Sequence, residues 1–280
     1  MLQRKKSTYF ANEGDVREKM RLERQAKILD KTLDVLSGLD LSSVHDVLGI
    51  ACGTGSWLIY FAQQHPKCHV VGLDNDRGIL AFARAQASVA GVSIDFQEGN
   101  ALEPLKFDDA SFDLINMRML MGFMHRDKWH ALLSECLRIL RPGGSVILTE
   151  IEDGATNDYQ YEAYGQIMYT AFHRVGHTFA SDERQAHLCT AIALKRLLRE
   201  AGFVNVEHRS HDVDFSYGEE AHAPVLENFV SAFENGAQFF VKMGATPKQI
   251  HEAQAHIKSL INKPDFLGFW HFISAIGYKP

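Results

Sequence analysis

Short apolar runs that alternate with longer helical stretches are the feature that most limits the fold of this 280-residue chain. The runs that are predicted to be strands are Val44–Ile50, His69–Leu73, Ser93–Gln97, Phe112–Asn116 and Ser145–Ile151. Helical patterns lie between most of them, over about 56–64, 79–89 and 128–140. Parallel strands need crossover connections of this kind. The pattern therefore predicts an α/β fold, a parallel sheet covered by helices.

Helical segments before and after this alternation predict additions to the core. Apolar residues recur at helical spacing from Asp15 to Leu36, which predicts an amphipathic helix. The predicted division is a tail and lid helix (1–40), a core (41–152), a helical cap insertion (153–187), a core helix and the strand Phe203–Phe215 (188–217), a second helical cap insertion (218–264) with Pro247 at the start of a helix, and a final strand, Phe269–Ile276 (265–280).

Charge and cysteine usage limit the partners and the compartment. The net charge is −6, and the basic run from Arg17 to Arg24 alternates with glutamates, so a nucleic-acid partner is not expected. The chain has no 18-residue apolar run, so a membrane span is not expected either. Cys52, Cys68, Cys136 and Cys189 lack metal-type spacing, which is typical of free thiols in the cytoplasm.

A glycine-rich turn after the first predicted strand is the strongest sign of a ligand. The strand from Val47 ends in Ala51-Cys52-Gly53-Thr54-Gly55 and leads into a helix, so small residues let a ligand approach the backbone. Asp74 follows Gly55 by 19 positions and ends the second strand, where an acid can accept hydrogen bonds from ribose hydroxyls. The combination indicates a nucleoside-containing cofactor. The alternative for Asp74 is a helix N-cap.

Four ordered motifs resemble those of the class I S-adenosylmethionine-dependent methyltransferases. They are IACGTG, VVGLDND, EGNALEPLKFDDASFDLINMRML and ECLRILRPGGSVILTE, and the resemblance covers about residues 44–151 closely. It implies a doubly wound, mostly parallel seven-stranded sheet whose last strand is antiparallel to the others. It also implies S-adenosylmethionine as cofactor and S-adenosylhomocysteine as product.

The resemblance assigns cofactor contacts residue by residue. Ala51, Gly53 and Gly55 would lie along the methionine part, with Cys52 in the same turn, and Asp74 would bind the ribose beside Asn75. The remaining positions matched to the cofactor site are Asn100 and Ala101 at the adenine, Met117 and Arg118 after the fourth strand, and Gly49 in the first strand.

Two positions depart from the family pattern. The family commonly has an acid at the position of Gly49, which helps to hold the cofactor's ammonium group, so this contact is lost or is supplied elsewhere, for example by the N-terminal lid. Asn100 replaces the usual aspartate and keeps a hydrogen-bond acceptor without the charge.

Candidates for catalysis lie at the predicted mouth of the sheet. His125 follows the fourth strand and is a candidate general base, or else a residue at a helix entry. Glu150 at the end of the fifth strand is a second catalytic candidate, and Glu152 shares its face; the alternative is a charge that faces water. Tyr9 and Phe10 resemble the aromatic pair that lids of this family fold over the cofactor, and otherwise they only hold the tail.

Several alternatives remain open. His173 and His177 have a spacing that can bind a metal, but no carboxylate pattern accompanies them, and we predict no metal site. Aromatic residues of both insertions indicate an enclosed pocket for a small organic acceptor, whereas residues 226–243 offer a homodimer surface. We expect methyl transfer to oxygen, nitrogen or carbon. The other hypotheses are a non-methylating step such as cyclisation, which the Gly49 departure motivates, and a nicotinamide-dependent oxidoreductase.

Overall fold

A seven-stranded sheet forms the centre of the computed structural model, which describes residues 9–11 and 15–280. The strand order is β3-β2-β1-β4-β5-β7-β6. The strands are β1 (Asp46–Ile50), β2 (His69–Asp74), β3 (Asp95–Glu98), β4 (Phe112–Arg118), β5 (Leu140–Thr156), β6 (Val204–Asp214) and β7 (Gly268–Tyr278).

Helices cover both faces of the sheet. They are α1 (Val16–Thr32), α2 (Ser56–Gln64), α3 (Arg77–Ala90), α4 (Trp129–Ile139), α5 (Tyr159–Arg174), α6 (Thr190–Glu200), α7 (His222–Asn235), α8 (Ala237–Lys242) and α9 (Pro247–Leu260). Alternate residues of β1 pack in opposite directions: Val47 packs with residues of α2 and α3, and Leu48 packs with residues of α4 and α6. The buried core therefore consists of two apolar layers, one on each side of the sheet.

The last strand in the chain, β7, lies between β5 and β6 and is antiparallel to both. The other neighbouring pairs are parallel, as the register of β1 with β2 and β4 shows. This arrangement confirms the predicted doubly wound, mostly parallel sheet with an antiparallel last strand.

Strand β5 is longer than its sequence pattern predicts. Its pairing with β7 continues from Ser145 opposite Tyr278 to Thr156 opposite Gly268, with a register shift between Ile151 and Asp153. Residues 153–156, which the pattern places in a cap without strands, therefore belong to the sheet. Strand β7 supplies the backbone hydrogen-bond partners of this stretch. The stretch itself is polar, so its local sequence does not predict a strand.

Helices also follow β5 and β6, where the two cap insertions are predicted. Helix α5 lies in the first insertion, and α7, α8 and α9 lie in the second. Pro247 occupies the start of α9, where its missing N–H costs nothing, and Thr246 and Gln249 close a capping box around it. These helices pack over the sheet edge at which the parallel strands end.

The first helix differs most from its prediction. It spans Val16–Thr32 rather than 15–36, and its buried residues are Glu18, Arg21, Gln25, Ile28 and Leu29. Met20, which the apolar pattern places inside, is 57% exposed. The predicted tail falls largely on residues 1–8 and 12–14, which lie outside the described residues. Within the described part of the chain, no helix combines the length and the apolar character that crossing a membrane requires.

Candidate functional site

The turn between β1 and α2 has the left-handed backbone that its glycines permit. The φ angles are +55° at Gly53 and +74° at Gly55. A Cβ atom at Gly55 would lie 2.8 Å from the ring of Phe96, so this position also requires the absence of a side chain. Helix α2 begins at the next residue, and its first N–H groups point toward the turn. The turn can therefore bring backbone close to a ligand.

Asp74 at the end of β2 is tied to this turn. Its Oδ2 accepts a hydrogen bond from the Gly53 N–H at 2.9 Å, and its Oδ1 accepts one from the Asp76 N–H at 3.0 Å. Burial raises the pKa of the Asp74 carboxyl, and the two backbone donors oppose that rise. The alternative that Asp74 caps a helix is wrong, because Asp76 is the N-cap of α3. Asp74 thus keeps lone pairs for a ligand while the turn fixes its direction.

A cavity of about 1120 Å³ opens above this edge of the sheet, and it contains two regions. The first region follows the ends of β1, β2, β3 and β4. Eight of the predicted cofactor residues line it: Tyr9, Ala51, Gly53, Asp74, Asn75, Asn100, Ala101 and Arg118. The structure therefore brings together one set of residues from four strand ends and the N-terminal segment.

Asn100 keeps only part of its hydrogen-bonding capacity for a ligand. Its Oδ1 accepts a hydrogen bond from the Leu102 N–H at 2.9 Å. One lone pair of that oxygen and the two amide hydrogens remain available at the cavity wall.

The other four predicted cofactor residues lie behind the cavity wall. Met117 is buried in the core against β5, and Cys52 follows Ala51 with its thiol pKa raised by burial. Gly55 packs against Phe96, and Gly49 packs against Leu58, whose methyl groups would lie 2.9 Å from an added Cβ. These four residues belong to the sheet or to the buried side of the turn, and they do not line the cavity.

The second region of the cavity is an aromatic chamber between the cap helices and the sheet. Its lining residues come from β5, α5, the residue after β6, α7 and β7, and they are Ile151, Tyr161, Met168, Tyr169, Phe172, Phe215, Phe229, Phe233, Phe269 and Trp270. The Trp270 Nε1–H is buried and has no hydrogen-bond partner among the described residues. An apolar wall with few polar groups is typical of a site for a small organic molecule.

The N-terminal segment closes the chamber next to the β4 end. The Tyr9 ring lies over Gly122, whose added Cβ would be 3.1 Å from it, and Phe10 packs edge-on to Phe172 at 5.6 Å between ring centroids. Burial raises the pKa of Tyr9, so its phenol stays protonated and donates to Glu18 Oε1 at 2.6 Å. Both aromatic residues of the predicted lid therefore line the cavity.

His125 lies outside the cavity. Its Nδ1 accepts a hydrogen bond from the Asp127 N–H at 3.2 Å and caps the short 3₁₀ helix Arg126–Lys128, and its other edge faces Gly176. This is the helix-entry position that the sequence left as the alternative. The structure therefore does not bring His125 to the residues that line the cavity.

Glu150 does not line the cavity either. Its side chain is buried, so the alternative that it faces water is wrong. It is 1% exposed and accepts hydrogen bonds from the N–H groups of Leu120 and Met121, at 2.6 and 3.3 Å. Burial raises its pKa to about 8. Glu152 is buried too and accepts a hydrogen bond from the Cys189 N–H at the start of α6. Both carboxyl groups thus fix backbone segments that border the cavity.

The histidines of the first cap have no metal-binding arrangement in the structure. His173 Nδ1 is 3.3 Å from Thr178 Oγ1, whereas His177 is buried and stacks on Phe172. Burial lowers the pKa of His177 to about 4. Among the side chains of residues 9–11, 15–152 and 154–280, no group of three from His, Cys, Asp or Glu is placed to bind a metal ion.

Sequence reasoning missed functional candidates that depend on distant partners. Arg21 and Gln25 line the cavity from α1, and Asn228 meets Arg21 from α7 at 3.0 Å. Asp30 forms an ion pair with Arg118 at 2.7 Å. The available signal was the spacing of Glu18, Arg21 and Gln25, which puts three polar residues on one face of a helix at steps of three and four.

The known proteins that this chain resembles in sequence are methyltransferases. Residues 47–144 match a family described as a methyltransferase domain. A demethylmenaquinone methyltransferase from Lactococcus lactis is 29% identical over 175 residues, which cover 59% of this chain and 68% of the relative. One from Bacillus velezensis is 26% identical over 215 residues, which cover 72% and 88%.

A solved structure supports the fold over most of the chain. The crystal structure of a candidate methyltransferase from Bacillus halodurans superposes with a TM-score of 0.55, covering 91% of this chain and 98% of that one at 21% identity. The similarity therefore extends beyond the matched core to the helices that cover the cavity.

Proposed function

The chain belongs to the class I S-adenosylmethionine-dependent methyltransferases, and from that premise we propose that it methylates an apolar, ring-containing small molecule bound in the aromatic chamber. The observation that carries the proposal is the continuity of one cavity. It runs from Asp74 and Asn100 at the strand ends to Trp270 and Phe229 under the caps. A methyl donor and an apolar acceptor can therefore meet inside the same enclosed space.

The residues at the strand ends fit the proposed cofactor. A carboxylate at Asp74 suits the two hydroxyls of a ribose, and the amide of Asn100 suits an adenine edge. The turn leaves room for close backbone approach at Gly53, which lines the cavity and where an added Cβ would meet only Ile79, at 3.9 Å. When bound there, S-adenosylmethionine supplies a methyl group on a sulfonium, which is already a strong electrophile.

The chain's own residues would bind and orient the acceptor and exclude water from it. Aromatic rings from α5, α7 and β7 exclude water, and the Trp270 Nε1–H can donate to an oxygen of the acceptor that the apolar wall leaves unpaired. Alignment of two reactants contributes on the order of 7–11 kcal/mol to the lowering of a barrier. Positioning by the chamber can thus account for much of the catalysis, and a phenolate or enolate acceptor needs no base.

The names of the relatives agree with this acceptor class. The two demethylmenaquinone methyltransferases described above are named for an apolar quinone. The four cysteines are free thiols, which supports the proposed cytoplasmic setting. We propose a small-molecule acceptor rather than a nucleic acid or a membrane, since the chain is acidic overall.

Gly165 of α5 allows the proposal to be tested. It lines the chamber, and an added Cβ would meet only the Tyr169 ring at 3.6 Å or beyond. We expect Gly165→Phe to fill the chamber and abolish transfer of a labelled methyl group to naphthohydroquinones and alkylated phenols, while the Kd for S-adenosylhomocysteine changes less than about twofold, or 0.4 kcal/mol. Gly165→Ala is the matched control and should keep both properties, because its Cβ makes an ordinary contact.

Three other outcomes would contradict the proposal. Wild-type protein without affinity for S-adenosylhomocysteine in calorimetry would overturn the cofactor assignment. Tight binding of S-adenosylhomocysteine, without transfer of the labelled methyl group to any compound in an organic extract, would favour a non-methylating reaction. Equal rates of methyl transfer by the wild type and Gly165→Phe would show that the acceptor binds outside the chamber.

A further inference from the structure

The glycine turn lacks the acid that this family commonly places at position 49, and the structure shows that position 49 has no room for one. A Cβ at Gly49 would lie 2.9 Å from both terminal methyl groups of Leu58 in α2. The carboxylates that line the cavity lie elsewhere, at or after the ends of β2 and β3 or on α5: Asp74, Asp76, Glu98, Glu103 and Glu162. The turn itself therefore provides no negative charge for a ligand cation.

Asp30 brings a carboxylate to this place from the N-terminal helix. Its Oδ2 accepts a hydrogen bond at 2.5 Å from the hydroxyl of Ser56, the first residue of α2 after the turn. Its Oδ1 lies 2.7 Å from Nη1 of Arg118, and the side chains of Asp30 and Arg118 are 11% and 12% exposed. Arg118 lines the cavity.

Strand register explains why these groups meet. Gly49 of β1 is paired with Asn116 of β4, and two residues further on the chain has left β1 at Ala51, while β4 ends at Arg118. Alternation directs Gly49, Asn116 and Arg118 to the same face of the sheet, on which α1 and α2 pack. A carboxylate from α1 thus reaches the face that an acid at position 49 would occupy.

We propose that Asp30 binds the ammonium group of the cofactor's amino-acid end and that Arg118 binds its carboxylate. The inference rests on the proposed function, because it assigns one end of the same cofactor. A buried ion pair and a zwitterion have complementary charges, so each charge of the protein gains a partner of opposite sign. Asp30 lies beside Arg118 rather than in the cavity wall itself, and its Oδ1 is buried. That oxygen can accept a hydrogen bond from the ammonium group, since in spite of its ion pair it receives no well-directed hydrogen bond from any described residue.

The experiment compares two ligands that differ in the amino-acid end. S-adenosylhomocysteine carries the ammonium and carboxylate groups, whereas 5′-methylthioadenosine retains the nucleoside and the sulfur but lacks both. We expect Asp30→Asn to weaken S-adenosylhomocysteine binding roughly 10- to 100-fold in calorimetry, the range for a charged hydrogen bond. The Kd for 5′-methylthioadenosine should remain within about twofold of the wild-type value.

Glu23→Gln is the matched control for a loosened helix. Glu23 is also on α1, and its side chain is 12% exposed. Its Oε1 accepts a hydrogen bond from Nε2 of Gln86 in α3 at 3.2 Å, and Arg118 is not among its partners. We expect this variant to bind both ligands like the wild type. If Asp30→Asn weakened both ligands equally, or neither, or if Glu23→Gln reproduced its selective loss, the assignment of Asp30 would be overturned while the proposed function stood. Wild-type protein that bound neither ligand would overturn both.

Discussion

Asp74, which is half-buried, and Glu150, which is buried, lie near the same sheet edge, and their hydrogen bonds separate their roles. Asp74 accepts two backbone N–H groups and still lines the cavity. Glu150 accepts the N–H groups of Leu120 and Met121 from behind the wall. These contacts hold the segment after β4 in place, where Met119 has a φ of +59°. Glu150 is therefore a positioning residue for the cavity wall, and Asp74 faces the ligand.

At the scale of single residues, the role of Asp74 leads to a prediction that contrasts with the ligand-selective loss of affinity expected for Asp30→Asn. Asp74→Ala should weaken S-adenosylhomocysteine and 5′-methylthioadenosine to the same degree, because both ligands carry the ribose. We expect a loss of roughly 1.5–3 kcal/mol for a charged hydrogen bond. Calorimetric titrations with the two ligands check it, and a loss confined to S-adenosylhomocysteine would show that Asp74 contacts the other end of the cofactor.

At the scale of elements, α1 shows what local pattern can and cannot predict. Helical spacing predicts that the helix exists, but the buried face consists of Glu18, Arg21 and Gln25 together with two apolar residues. Arg21 donates to Glu18 and Gln25 of its own helix and to Asn228, which is 207 positions away in α7. No local pattern reports such a partner. The sheet, the turn and Asp74 were predictable because their signals lie within one β-α-β unit.

The buried Glu18–Arg21 pair gives a prediction for the stability of this lid. The two side chains are 0% and 4% exposed and lie 2.6 Å apart. Arg21→Met leaves Glu18 as an unpaired buried charge, and we expect the free energy of unfolding to fall by about 3–5 kcal/mol in urea denaturation. The double variant Glu18→Gln with Arg21→Met should recover part of that loss because it removes the charge. A double variant less stable than Arg21→Met would contradict the role of the pair.

At the scale of the whole molecule, the second cap, α1 and the sheet share one apolar layer. Phe233 of α7, Ile257 of α9, Leu29 of α1 and Trp270 of β7 belong to the same buried cluster. The insertions were predictable as helical additions from the break in the strand rhythm. The chamber between them was not, since its walls are brought together by packing of segments far apart in the chain. Closing the site and folding the molecule therefore depend on the same contacts.

Two buried groups give opposite contributions to the pH dependence of stability. His177 has a pKa of about 4 in the folded chain against 6.5 ordinarily, so the unfolded state binds more protons between these values, and stability rises with pH there. Glu150 has a pKa of about 8 against 4.5, so the folded state binds the extra proton, and stability falls as pH rises from 4.5 to 8. Between pH 6.5 and 8 the contribution of His177 is complete and that of Glu150 continues.

Glu150→Gln should therefore change the slope of stability against pH in that upper window. One titrating proton contributes at most about 1.4 kcal/mol per pH unit. We expect the free energy of unfolding of the wild type, relative to that of Glu150→Gln, to fall from pH 6.5 to 8, because the amide keeps an acceptor oxygen for the Leu120 N–H but cannot ionise. Urea titrations of both proteins at pH 6.5, 7, 7.5 and 8 measure this difference. Parallel curves would mean that Glu150 is already ionised at pH 6.5, and that the two backbone N–H groups outweigh its burial.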